Sequence, residues 1–196
     1  LTHNDPKEEL DAIDLIIKRQ TRGVIFIRSQ NKEIESSKNI LILNKHDIPF
    51  VLVDRDITSS NNSGVFLSNA SSVYDAISLL LQDGYEDISI IAGTVNSTNS
   101  NQRLDGYKEA FNRYNKQIKE DNIYRGDFSI QSGLELTREV LKKDILPEAI
   151  FSCANQITIG CLKAISEEGL IVGKDIKLFS FNKFWESSWN VQITSF

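Results

Sequence analysis

Apolar residues recur in this chain in two alternating rhythms. One is a short unbroken run, seen at residues 23–27 (GVIFI), 50–54 (FVLVD), 64–67 (GVFL), 88–92 (ISIIA), 149–153 (AIFSC) and 176–181 (IKLFSF). Runs of this length, bounded by Gly, Pro, Asn or Asp, predict strands. They are continuously apolar rather than alternating, which predicts sheets covered on both faces. Residues 122–126 (NIYRG) and 190–196 (NVQITSF) carry a weaker version of the same signal.

The second rhythm is helical. Leu10, Ile13 and Ile17 share one face of a helix over 8–18. Residues 34–46 predict a second helix, ended by Asp47 to Pro49. The clearest case is Val73, Ala76, Ile77, Leu80 and Leu81, an i, i+3, i+4, i+7, i+8 series. Ser71 or Ser72 is the expected cap of that helix and Gly84 its stop. A helix from about Ser100 to Tyr114 follows, with Arg103 in its first turn. Two more are expected at 129–143, with Ile130, Leu134, Thr137 and Leu141 in line, and at 155–169, with Ile157, Cys161, Ala164 and Ile165 in line and Gly169 as the stop. Strand and helix alternating at this spacing predict an α/β fold built on parallel sheets. The polar run 55–64 (RDITSSNNSG) reads as chain passing near a domain boundary.

Composition narrows the function. The 196 residues suffice for one large domain or two small ones. A net charge of -5 argues against the basic surface that nucleic-acid binding needs. Cys153 and Cys161 are the only cysteines, eight apart and without a CxxC, so two buried core thiols are expected rather than a disulfide or zinc site. No apolar run approaches the ~20 residues of a membrane span. Neither GxGxxG nor GxxxxGK[ST] occurs, and His3 and His46 lack motif context. The expectation is therefore no enzyme, no cofactor and no metal. Met is absent, so Leu1 is not a translation start as written, and both ends are expected to be cut from a longer chain.

In open parallel sheets, ligands collect beyond the carboxyl ends of the strands. Those positions hold Asp54-Arg55, the polar stretch STNSNQRLDGY with Arg103, Asp127-Phe128, Asn155, and Asn182-Lys183. Taken singly, each is explained by a cap, a turn, a surface charge or a core ring. Taken together they supply a forked donor, carboxylate and amide acceptors and an aromatic face, the set that suits a polyhydroxylated ligand.

These segments, in order, resemble the effector-binding core of the lactose/galactose repressor (LacI/GalR) family of bacterial transcription regulators. The resemblance runs through THNDPKEELDAIDLIIKRQTRGVIF, IPFVLVDR, LLQDGYEDISIIAG with NQRLDGYKEAF, RGDFSIQSGLE, and LPEAIFSCANQITIGCLKAISEEGLIVGKDIKLFSF. It implies two Rossmann-like subdomains, periplasmic-binding-protein-like, with a ligand cleft between them. The expected boundaries are 1–67, 68–191, and a return crossover at 192–196. Upstream, a DNA-binding helix-turn-helix head is expected. By position, the resemblance assigns effector contacts to Asp54, Arg103, Phe128, Asn155 and Asn182, with Leu67, Ser68, Lys183 and Trp185 as further contacts. It implies a sugar or sugar phosphate as effector and a homodimer or dimer of dimers. It also implies operator DNA as a partner only through the head, no membrane, and a cytoplasmic location.

The chain departs from the family where carboxylates are frequent: Ser68-Asn69, Asn155-Gln156 and Asn182 carry neutral groups instead. Trp185 and Trp189, four apart in FWESSW, can share a helical face at the cleft mouth, at a partner or in the core. A periplasmic sugar-binding protein of a transporter would have the same fold and stands as the alternative.

Overall fold

A computed structural model of the chain describes residues 5–27, 33–54, 62–182 and 194–195. It divides into two compact units, one within Leu1–Leu67 and Asn96–Thr98, the other within Ser68–Val95 and Asn99–Phe196.

The first unit contains α1 (Pro6–Lys18), β1 (Val24–Phe26), α2 (Glu33–Lys45), β2 (Phe50–Val53) and β3 (Gly64–Val65). Helix α1 starts where its local chemistry dictates. Asp5 accepts a hydrogen bond from the Lys7 amide at 2.8 Å, Pro6 comes directly after the cap, and Glu8 and Glu9 face the positive end of the helix dipole. The three strands are parallel, in the order β1-β2-β3. Phe26 and Leu52 are paired in register and pack under Ile40 of α2. Ile13 of α1 joins Leu43 and Ile48 nearby.

Two expectations change here. Leu10, expected on the buried face of α1, is 41% exposed, and Glu9 is buried instead. The helix is turned so that the Glu9 Oε1 accepts from Asn39 Nδ2 of α2 at 2.7 Å, which satisfies a buried carboxylate. Among the described residues, helices pack on one face of the sheet. Ile25 pairs with Val51, and Val53 with Val65, so these four share the face opposite Phe26 and Leu52. Ile25, Val51 and Val65 are exposed on it. Helices α1 and α2 both pack on the other side.

The second unit contains α3 (Asn69–Gln82), β4 (Ile88–Ala92), α4 (Thr98–Arg113), β5 (Ile123–Arg125), α5 (Ile130–Leu141), β6 (Ala149–Ser152), α6 (Asn155–Glu167), β7 (Lys177–Ser180) and β8 (Thr194–Ser195). Its parallel sheet has the order β5-β4-β6-β7-β8. Thr194 and Ser195, from the segment expected to cross back at 192–196, lie beside Phe179 and Ser180. Both faces are covered, as continuous apolar strands require. Ile88, Ile90, Ala92, Ala149, Phe151 and Phe179 meet α3 and α4. Ile91, Ile150 and Leu178 meet α5 and α6.

Helix α3 begins at Asn69 rather than at Ser71 or Ser72, and Ser68 occupies the cap position without a side-chain cap bond. Its end is as expected. Gly84 has φ +93, and the amides of Gly84 and Tyr85 return to the carbonyls of Leu81 and Leu80. Helices α5 and α6 cross at two glycines. A Cβ on Gly160 would stand 2.4 Å from the Ile130 carbonyl oxygen, and one on Gly133 would stand 2.6 Å from that of Ile157. Among the described residues, no helix is long and apolar enough to cross a membrane, and no group of three or more His, Cys, Asp or Glu could hold a metal ion.

Candidate functional site

The order β5-β4-β6 places the reversal of winding between β4 and β6. The connection after β4 leads to one side through α4, and the one after β5 crosses back to the other through α5. Loops leaving such a pair diverge and open a space at the carboxyl edge.

Arg103 sits at this reversal. Helix α4 begins at Thr98, so Arg103 lies in its second turn and not its first. The residue is 6% exposed. Its Nε donates to Asn69 Oδ1 at 2.8 Å, and its Nη1 donates to the carbonyl of Cys153 at the end of β6. The guanidinium carbon stands 3.8 Å from the ring centroid of Phe181, just past β7. Asn69 in turn donates to Gln102 Oε1 at 3.1 Å. One arginine thus ties together the start of α3, the end of β6 and the end of β7. A buried cation needs such partners, because desolvation without them is costly.

A second arginine, which sequence reasoning missed, holds the neighbouring loop. Arg125 ends β5, and its Nη2 donates to Asn101 Oδ1. Asn101 then donates to the Val95 carbonyl at 3.0 Å. The signal available was an arginine ending a strand next to a loop rich in carbonyls and amides.

Phe128 is half-buried and covers Gly93, where a Cβ would stand 2.3 Å from the ring. A side chain at position 93 would displace that ring, so this glycine at the end of β4 serves close approach. Asp127 forms the turn before it. The Ser129 hydroxyl and backbone N–H hold its carboxyl below the usual range, and Ser129 caps α5. Asn155 is the first residue of α6 and is exposed, as is Gln156. The α6 cap residue, Ala154, offers no side-chain bond. Asn182 is half-buried and comes directly after Phe181. Arg103, Phe128, Asn155 and Asn182 therefore share the carboxyl edge of the second unit's sheet.

Asp54 lies in the first unit, at the carboxyl end of β2, half-buried and with φ +68. Leu67 and Ser68 are exposed. Arg55, Lys183, Trp185 and Trp189 lie outside the described residues. Cys153 and Cys161 are fully buried, and burial pushes both thiols up to about 12. For Cys153 the charges of Arg103 and Arg125 only partly offset that burial. Neither thiol supplies a thiolate at neutral pH. The edge can bind through donors, acceptors and rings, and neither cysteine brings an activated nucleophile to a ligand.

Comparison with known proteins places this geometry. A family model described as a periplasmic binding protein-like domain matches residues 77–196. The HTH-type transcriptional repressor PurR of Actinobacillus pleuropneumoniae serotype 3 (strain JL03) is 28% identical over 186 residues, covering 95% of this chain and 54% of that protein. Catabolite control protein A of Priestia megaterium is 24% identical, covering 93% and 54%. The chain thus spans about half the length of these curated relatives. Among solved structures, a sugar-binding transcriptional regulator of the LacI family from Escherichia coli, complexed with phosphate, superimposes with a TM-score of 0.80 at 21% identity, covering 97% of this chain and 68% of that one. The transcription regulator CcpA of Lactococcus lactis gives 0.79 at 21% identity, covering 91% and 64%.

Proposed function

Since the chain belongs to the periplasmic binding protein-like domain family, we propose that it is the effector-sensing core of a bacterial LacI-type transcriptional repressor. The observation that carries this reading is the polar and aromatic carboxyl edge around Arg103, in a chain whose curated relatives are named repressors and control proteins. Those names favour a regulator over the binding protein of a transporter. The whole protein would read operator DNA through a head domain, pair as a homodimer or dimer of dimers, and work in the cytoplasm. A ligand that binds one conformation of the core better than another shifts the population and with it the DNA affinity.

Arg103, Phe128, Asn155 and Asn182 are the proposed contacts in the second unit, and Asp54 in the first. The proposed effector is a sugar or a sugar derivative. Ser68, Gln156 and Asn182 stand where the family often carries carboxylates, which favours an anionic derivative such as a sugar phosphate. A carboxylate ~4 Å from a phosphate charge would cost about 4 kcal/mol at an effective dielectric near 20, so its absence favours that ligand.

The test is a thermal-shift and calorimetric comparison of D-ribose and D-glucose with their phosphate esters at two salt concentrations. A ligand at about a hundred times its dissociation constant should add roughly 2.7 kcal/mol to the folded state. Arg103→Ala should weaken binding about ten- to a hundredfold. Tighter, salt-sensitive binding of the esters supports the anionic reading. If neither sugars nor esters shift the melting curve, the sugar-sensor reading fails.

A further inference from the structure

Three hydroxyls meet in the core directly behind this edge. Thr158 of α6 places its Oγ1 2.6 Å from Ser152 Oγ and 2.9 Å from Ser180 Oγ. Ser152 is the last residue of β6 and Ser180 the last of β7. All three residues are 0% exposed. Two carbonyls complete the cluster: Phe179 O lies 3.1 Å from Ser152 Oγ, and Ala154 O lies 3.0 Å from Thr158 Oγ1.

Three hydroxyls carry three protons, and these four contacts compete for them. The Ala154 carbonyl already accepts the Thr158 backbone N–H at 2.9 Å, so it is the one that does not need a hydroxyl proton. The remaining three contacts are then all satisfied in a single direction. Ser180 donates to Thr158, Thr158 donates to Ser152, and Ser152 donates to the Phe179 carbonyl. Hydrogen bonds aligned head to tail polarise and strengthen one another in a low-dielectric interior.

Each hydroxyl stands one to three residues from a group at the edge. Cys153, whose carbonyl holds Arg103, is next to Ser152. Phe181, which lies against the Arg103 guanidinium, is next to Ser180, with Asn182 one position on. Asn155 opens the helix that carries Thr158, and that helix start has no side-chain cap to hold it. We propose that Thr158 is a positioning residue, a role that rests on this edge being the one that meets the ligand. Its hydroxyl sets the spacing between the start of α6 and the ends of β6 and β7, and so fixes where Asn155, Arg103, Phe181 and Asn182 stand. Thr158 touches no ligand itself.

The test needs no ligand. The Phe181 amide donates to the Ser152 carbonyl at 3.0 Å, and the Arg103 Nε–H is buried against Asn69, so both protons report on the edge by hydrogen exchange in a ¹⁵N-labelled chain. Thr158→Val keeps the shape and removes the hydroxyl. Both protons should then exchange about tenfold faster, the size of one lost buried hydrogen bond. The Ile90 amide in β4 should keep its rate, and Thr158→Ser should restore the original rates. Unchanged exchange in Thr158→Val, equal acceleration at Ile90, or failure of the serine variant to rescue would each overturn the proposal. Should the valine variant not fold, Ser180→Ala removes the first donor without touching α6 and is read by the same outcomes. A wild-type chain that binds neither D-ribose 5-phosphate nor D-glucose 6-phosphate would count against the effector reading and leave the exchange result standing.

Discussion

Asp87 shows what partners do to a charged group at the scale of one residue. It lies just before β4, at the sheet edge opposite Arg103. Its carboxylate accepts from Lys119 Nζ and from Asn122 Nδ2, both at 2.6 Å. Burial pushes its pKa upward, but these bonds and the charges of Lys119 and Lys143 outweigh burial and leave it below the ordinary value. A depressed carboxylate stabilises the fold fully above its unfolded value of about 3.9, and that contribution is lost as pH falls through the folded value. Asp87→Asn should therefore cost about 1 kcal/mol at pH 7, and the difference from wild type should shrink toward zero in urea titrations as pH falls below the ordinary carboxylate range. A gap that persists at low pH would assign the effect to packing. At this scale the positions were legible and the partners were not. Arg103 could be picked out because it comes after a strand and a polar loop. Asn69, Cys153 and Phe181 could not be matched to it, because each comes from a distant part of the chain.

Elements were legible where a side chain announces them. The apolar series of α3 and α6 and the left-handed glycines that end them needed no structure. What periodicity could not show is where a helix has no side chain and why. Gly133 and Gly160 sit inside α5 and α6, where glycine is unfavourable by roughly 1 kcal/mol relative to alanine. The crossing repays that cost, because it brings backbone against backbone: the Gly160 Cβ position is 2.5 Å from the Leu134 nitrogen and 2.7 Å from the Gly133 carbonyl carbon. Gly160→Ala gains helix propensity yet should lower stability by about 1–3 kcal/mol, because the two helices must separate. Chemical denaturation of this variant reads the sign directly. A stabilised protein would mean the crossing yields easily. The start of α3 eluded the sequence for a related reason. Asn69 has its side chain committed to Arg103 and Gln102, a commitment that local cap rules do not register.

At the scale of the whole molecule, the regular alternation of strand and helix announced parallel α/β architecture. Unbroken apolar strands also implied two covered faces, which holds for the second unit, whereas in the first the described helices pack on one face. Apolar runs report that a strand can be buried on both sides, and they carry no information on whether a helix of the same chain arrives to do it. The exposed row formed by Ile25, Val51 and Val65 thus has a consequence for how this polypeptide behaves in a test tube. Contiguous exposed apolar surface attracts amphiphilic dyes and other molecules of its own kind. The native chain should brighten 8-anilinonaphthalene-1-sulfonate before any unfolding and should scatter more light as sulfate is added. Replacing both Ile25 and Val65 by lysine should quench the dye signal and raise the solubility limit, while leaving the melting of the second unit where it was.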